Sequence, residues 1–386
     1  GTRNNLDPYI YPNVDWYSEL FRSMVFNKSA NMNISGGGEI AQYYLAVSYN
    51  NEKGLLKVDN LNNFNNNIDI NRYNLRANVN INLTKTTKAA VKFYSLFDRY
   101  NGPVDDANSI FQSVMQANPV NFPKYYEKTE ETQYLNHTLF GNKGNGGMPN
   151  PYADMVKGYK DRFTSTILSQ FQLEQDLGFI TDGLKFRGMA SVKSYSMNQN
   201  ARSFTPFYYG MAELETETGI MHDLYQIQEG TEFLNDPVVE NLANSSFYFE
   251  LVTEYRRTFA DKHTIGGLLV YTRRELLNTL GGNAYATLPS RNLGLSGRTT
   301  YAYDSRYFLE LNFGYNGSEK FAENHRFGFF PSAGVGWSVS NEAFFEPVKN
   351  VISQLKLKAT YGLVGNDAIS DPNDRFFYLS NVNLND

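Results

Sequence analysis

The sequence predicts an all-β chain, an antiparallel transmembrane β-barrel of about 12–13 strands. Three observations carry this. Segments of about 9 to 13 residues alternate apolar with polar side chains; a tilted strand needs about 9 to 11 residues to cross a bilayer, whereas globular strands average about 5 to 6. Short links between these segments take turns with long ones, as in membrane barrels. No window approaches the ~18 apolar residues of a membrane helix, and the mean hydropathy of -0.48 is as low as alternating strands make it.

In chain order, residues 1–28 hold one helical segment. Trp16, Leu20 and Met24 recur at a spacing of four, Phe21 adjoins Leu20, and Asn13 and Asp15 are candidate caps, which reads as a short amphipathic helix packed on something. Strand candidates follow at Asn31 to Ser35 and Gln42 to Asn50. Between them Gly36-Gly37-Gly38 reads as a tight hairpin turn, since it lacks the Lys and Ser/Thr of a phosphate-binding loop.

The clearest strand is Tyr73 to Thr84, where Tyr73, Leu75, Ala77, Val79, Ile81 and Leu83 alternate strictly with Asn74, Arg76, Asn78, Asn80, Asn82 and Thr84. The same period marks Ala89 to Arg99, Ile167 to Leu177, Leu184 to Val192, Phe247 to Phe259 and Ile265 to Arg273. It continues through Leu293 to Tyr303, Tyr307 to Tyr315, Phe327 to Val339, Leu355 to Leu363 and, more weakly, Phe376 to Val382. Glu342 to Ile352 reads as a second short helix.

Links at Thr84 to Thr87, Gly178 to Gly183, Ala260 to His263 and Asp304-Ser305 are short, while 51–72, 100–163, 198–246 and 275–292 are long. Energetics orient the faces. Leu355 to Leu363 carries Lys356, Lys358 and Thr360 on its polar side, and a Lys at the bilayer midplane costs about 2 to 4 kcal/mol. Leu355, Leu357, Ala359 and Tyr361 are therefore expected to meet lipid, and Lys356 and Lys358 the lumen. Asn74, Arg76 and Asn78 are assigned to the lumen by the same alternation.

Composition excludes several function classes. With no Cys, disulfides, thiolate metal sites and cysteine nucleophiles are ruled out. A net charge of -5 and pI near 5.6 give no basic excess for nucleic acid. His137, His222, His263 and His325 never fall at metal-ligand spacing. The pairs Asp105-Asp106 and Glu130-Glu131 read as solvated loop surface rather than acid–base machinery. No catalytic residue, metal site or cofactor is expected, and the chain is not read as an enzyme. The 28 Tyr and 28 Phe favour strands and loops over helices. Tyr125, Tyr126, Tyr152, Tyr159, Phe207, Tyr208 and Tyr209 lie in long loops, where they could stack on a sugar ring or hydrogen-bond a peptide; self-packing of the loops is the alternative.

The text from Leu288 to Glu342, LPSRNLGLSGRTTYAYDSRYFLELNFGYNGSEKFAENHRFGFFPSAGVGWSVSNE, resembles the barrel region of SusC/RagA-type TonB-dependent transporters of the Bacteroidota outer membrane. The resemblance extends through Asn13-Val14-Asp15-Trp16-Tyr17, Ile34-Ser35-Gly36-Gly37, Asn150-Pro151-Tyr152-Ala153 with Gly158-Tyr159, Phe259 to His263 with Gly266-Gly267-Leu268-Leu269, and Tyr361 to Asp367. It implies a 22-stranded barrel with an N-terminal plug, of which this sequence is expected to hold about 12–13 strands without the plug. Residues 1–28 would be the plug-to-barrel junction and 29–386 partial barrel with extracellular long loops.

Neither an initiator Met nor a signal peptide opens the chain, and Asn383-Leu384-Asn385-Asp386 lacks the aromatic end expected of such barrels, so both ends are expected to be cut. The implied function is energised import of an oligosaccharide or peptide. Its implied partners are a SusD-like surface lipoprotein, outer-membrane lipids and, through the missing N-terminal part, the TonB-ExbB-ExbD complex. The rival reading is a structural or adhesive outer-membrane barrel, or a passive porin.

Overall fold

Every alternating segment that falls on described residues forms a strand. The computed structural model describes residues 7–59, 61–217, 219–278, 287–367 and 378. Its strands are β1 (Lys28–Gly37), β2 (Ala41–Lys53), β3 (Asp69–Asn82), β4 (Thr87–Pro103), β5 (Tyr125–Tyr126), β6 (Leu139–Gly141), β7 (Gly158–Asp176) and β8 (Leu184–Ser203). They continue with β9 (Tyr208–Thr216), β10 (Gly219–Gln228), β11 (Val238–Phe259), β12 (His263–Asn278), β13 (Ser290–Tyr303), β14 (Tyr307–Ser318), β15 (Phe327–Ser338) and β16 (Lys356–Gly362). Three α-helices, α1 (Trp16–Leu20), α2 (Ala107–Gln116) and α3 (Pro151–Val156), precede β7.

Twelve strands pair in one antiparallel sheet in the order β1-β2-β3-β4-β7-β8-β11-β12-β13-β14-β15-β16, and β10-β9-β6-β5 form a small second sheet. The expectation of an all-β antiparallel sheet is met. A closed 22-stranded barrel is not seen among the described residues, and the candidate strand Phe376 to Val382 falls almost wholly outside them.

The register turns alternation along each strand into two faces of the whole sheet. Met32, Val47, Leu75, Ser95 and Ile167 face one another across five neighbouring strands. On the other half, Leu251, Tyr271, Leu295, Tyr315 and Phe329 do the same. The opposite parity carries Tyr44, Asn78, Lys92, Gln170, Ser191 and Tyr248 in one row, and Arg298, Asn312 and Ser332 in another. One face is thus apolar and the other polar. On the apolar face Leu311 is 49% exposed, Val335 57% and Phe329 59%, far more contiguous apolar surface than water tolerates.

Aromatic rings border this apolar face at both ends. Tyr303 stacks on Tyr307 and Trp337 meets Phe344 edge-on at the short-turn end. Tyr49–Tyr73, Phe97–Phe163 and Tyr315–Phe327 pair at the long-loop end. Tyr307 and Tyr315 point the same way eight residues apart, about 27 Å along a strand at about 3.4 Å per residue. Tilted, that suits an apolar band about 25 Å tall between two aromatic girdles.

The short turns follow from local backbone chemistry. Ala260 and Asp261 (φ 47° and 54°), and Asp304 and Ser305 (φ 52° and 56°), adopt left-handed conformations at the centre of tight turns closed by Lys262 N donating to Phe259 O and Arg306 N to Tyr303 O, a backbone that matches the strand twist. A polar clasp ties two hairpins together at this end. Glu342, 8% exposed, accepts from the Trp337 indole at 3.0 Å and from Arg306 Nη1 at 3.1 Å, and Arg306 Nη2 donates to Asp304 at 2.6 Å. The Trp337 N–H first, then Tyr307 and Arg306, hold the Glu342 carboxyl below the usual carboxylate range. A depressed folded pKa stabilises above the unfolded value of about 4.3 and is lost as pH falls through the folded one. Thermal unfolding of the full-length protein should therefore separate wild type from Glu342→Gln at pH 7. The gap should narrow below about pH 4.

Three sequence expectations are corrected here. The helix expected at Glu342 to Ile352 is a single short 3-10 helix, Ala343–Val348, because Pro347 has no N–H for an α-helical bond. The helix near the start ends at Leu20, leaving Met24 65% exposed beyond it. The ends of the expected long loops are strand: β8 and β11 run for 20 and 22 residues, past Val192 and back before Phe247. There Ser194, Ser196 and Asn198 stand opposite Ser245, Ala243 and Asn241 on one face, and Lys193 and Gln199 opposite Ser246 and Glu240 on the other, so both faces are polar and no alternation marks the backbone.

Candidate functional site

The long connections, at 54–68, 104–157 and 204–237, gather at one end of the sheet and fold on one another. Trp16 and Leu20 of α1, Leu56, Ile110 and Val114 of α2, Phe122, Phe140, Tyr152 and Met155 of α3, and Tyr208 of β9 form a single buried core. Asp15 and Asp106 cap α1 and α2 by accepting from the backbone N–H groups of Ser18 and Ser109, and both carboxyls are held below their usual range mainly by those bonds. The segment read as a junction is built into this assembly: Arg22 N donates to Leu55 O and Lys57 N to Leu20 O, each at 2.7 Å.

The Asn150-Pro151-Tyr152-Ala153 motif has a physical reason. Asn150 is fully buried; its Oδ1 accepts from the N–H groups of Tyr152 and Ala153 at 3.1 Å each, capping α3, and Nδ2 donates to Gly141 O at 2.8 Å and Lys124 O at 3.0 Å. Pro151 occupies the first helical position, where its missing N–H costs nothing. Tyr152 places its ring in the core and donates from its hydroxyl to Asp59 at 2.7 Å; burial, then Asp59, pushes that hydroxyl's pKa up. Lys157 bridges Asp105 at 2.6 Å and Asp154 at 3.1 Å, locking α3 beside α2.

The seven candidate aromatics separate by burial. Tyr126, Tyr152, Tyr208 and Tyr209 are between 3% and 9% exposed, with rings enclosed by the loop cores. Burial pushes Tyr126 up to about 12 and raises Tyr208 as well. What these four hold in this structure is the loop fold. Tyr125, Tyr159 and Phe207 are half-buried and keep part of a ring accessible. Tyr125 packs on Tyr152 at 5.7 Å with Lys124 Nζ 5.2 Å above it, Tyr159 lies 5.1 Å from Phe64, and Phe207 stacks on His137 at 3.6 Å. The rings therefore do not converge on one pocket.

The second feature is a hollow of about 1030 Å³ on the polar face of β11 to β16. Its charged lining is Glu254, Arg256, Arg298, Glu310, Lys356 and Lys358. Lys356 Nζ is 3.6 Å from the centre of the Phe308 ring, and nearby on the same face Arg187 pairs with Glu250 at 3.1 Å. Asn74, Arg76 and Asn78 share this face through the register but lie on the far half of the sheet. Glu254, Arg298 and Glu310 were missed by the sequence reading, although their even positions in alternating strands carried the signal. No group of three or more metal-ligating side chains occurs among the described residues.

No family model matches the chain. Among curated proteins it is 24% identical to a TonB-dependent receptor of Formosa agariphila, covering 95% of this chain and 35% of the relative. It is 23% identical to the TonB-dependent receptor SusC of Bacteroides thetaiotaomicron, covering 95% and 36%. The chain thus spans about a third of the length of the relatives it matches. In fold it is similar to the RagAB peptide importer in its closed-closed state, with a TM-score of 0.59 at 15% identity over 93% of this chain and 39% of that one. The resemblance read from the sequence holds: along nearly its whole length this chain is similar to SusC/RagA-type TonB-dependent receptors.

Proposed function

We propose that this chain forms wall, lumen lining and mouth of an outer-membrane transporter that imports an oligosaccharide or peptide under TonB control. The observation that carries it is the two-faced sheet, with a girdled apolar face suited to lipid and a charged, hollow opposite face suited to a wet lumen. Lys356, Lys358, Asn74, Arg76 and Asn78 line that lumen, the long-loop assembly faces the exterior, and Tyr125, Tyr159 and Phe207 remain its candidate substrate contacts. A SusD-like lipoprotein would cover the mouth. Similarity to SusC and to the RagAB importer supports the reading.

The test is nutritional. Deleting the full-length gene should abolish growth on one particular glycan or peptide source and spare growth on simple sugars. Unchanged growth on every polymeric source, with adhesion to surfaces lost instead, would favour a structural or adhesive barrel.

A further inference from the structure

We propose that the outer ends of β12 to β15 hold an anionic lipid, with its phosphate on three arginines and its acyl chain on the apolar face. This rests on the membrane reading of that face. The register sets Arg273, Leu293, Gly317 and Phe327 side by side in one row. The row nearer the bilayer centre carries Tyr271, Leu295, Tyr315 and Phe329, and the row beyond pairs Glu275 with Arg291. Guanidinium groups thus appear on the lipid-facing side immediately past the aromatic girdle, at the depth where headgroups begin.

The Phe327 ring lies over Gly317, where a Cβ would overlap it, and a groove of about 450 Å³ runs beside them, with Leu293 and Phe327 in its walls and Arg273, Arg291 and Arg326 around it. Glu275 Oε2 accepts from Arg291 Nε at 3.2 Å and from Arg273 Nη2 at 3.4 Å, which orients both forks. A guanidinium has five N–H donors, and these contacts use one of each. Arg326 arrives from the β14–β15 connection, and its Nε is buried with no hydrogen-bond partner among the described residues. Counting Glu275 and the groove's Glu319 against the three arginines leaves one net positive charge. Planar forks suit phosphate oxygens. A small anion alone would have no use for the apolar groove, and a neutral lipid none for the arginines.

The experiment uses full-length protein in neutral detergent, with bound lipid counted by native mass spectrometry after adding diphosphoryl lipid A, dephosphorylated lipid A, phosphatidylcholine or inorganic phosphate. Wild type should retain the phosphorylated lipid selectively. The double variant Arg273→Gln/Arg291→Gln should weaken retention about tenfold or more with the heat-resistant folded band unchanged, and Gly317→Val should weaken it by pushing the Phe327 ring out of its place and into the groove. If the double variant fails to fold, Arg326→Gln is read in its place. Retention unaffected by these changes, equal binding of the dephosphorylated lipid, or displacement by millimolar inorganic phosphate would each overturn the proposal. Wild-type protein absent from the membrane fraction would instead refute the membrane reading itself.

Discussion

Leu311→Arg should cost the folded protein about 2 to 4 kcal/mol, whereas Asn312→Arg, one residue along, should cost markedly less. Leu311 lies midway between Tyr307 and Tyr315 on the apolar face, so its substitution puts a guanidinium near the bilayer midplane. Asn312 belongs to the polar face, within the hollow that already holds Glu310 and Arg298. Urea titration of the full-length protein refolded into vesicles measures both, read as the loss of the heat-resistant band. Equal costs for the two variants would mean that the faces do not differ in solvent.

Asn150→Ala should loosen the loop assembly by about 3 kcal/mol while leaving the sheet intact. The helix cap contributes about 1 kcal/mol, and each buried carbonyl left without a donor costs about 1 to 3. Of the two carbonyls that Asn150 serves, that of Gly141 would be stranded, while Lys124 O still accepts from Gly141 N at 3.3 Å. Asn150→Ser keeps an acceptor for the cap but no reach to those carbonyls, so it should fall between. Hydrogen exchange over residues 104–157 gives the readout, with the β13–β14 hairpin as internal reference. Protection in the loops unchanged by Asn150→Ala would show that the core of Trp16, Ile110 and Tyr152 suffices without it.

The parts of the fold legible in the sequence are those where one face meets a different medium from the other. β3 and β14 could be read almost to their ends because apolar and polar residues must alternate there. Where β8 and β11 run on past Val192 and Phe247, both faces carry Ser and Asn, and nothing local distinguishes strand from loop. α2 was readable in retrospect, since Asp106 caps it and Ile110 and Val114 share a face at a spacing of four. The burial of Tyr126, Tyr152, Tyr208 and Tyr209 was not, because it is created by segments far apart in sequence closing on one another. Lys356 and Lys358 gave away the polar face of β16, while the hollow beside them depends on five neighbouring strands.

The central claim is that odd-numbered residues of β14 meet lipid and even-numbered ones meet water. These 386 residues contain no Cys, so with any cysteine elsewhere in the full-length protein replaced by Ser, single-cysteine labels report one position each. Leu309→Cys, Glu310→Cys, Leu311→Cys and Asn312→Cys, each spin-labelled in full-length protein in vesicles, report collision rates with oxygen and with a water-soluble nickel chelate. Oxygen accessibility should peak at positions 309 and 311 and nickel accessibility at 310 and 312. Four labels with the same accessibility, or the two phases exchanged, would contradict the account.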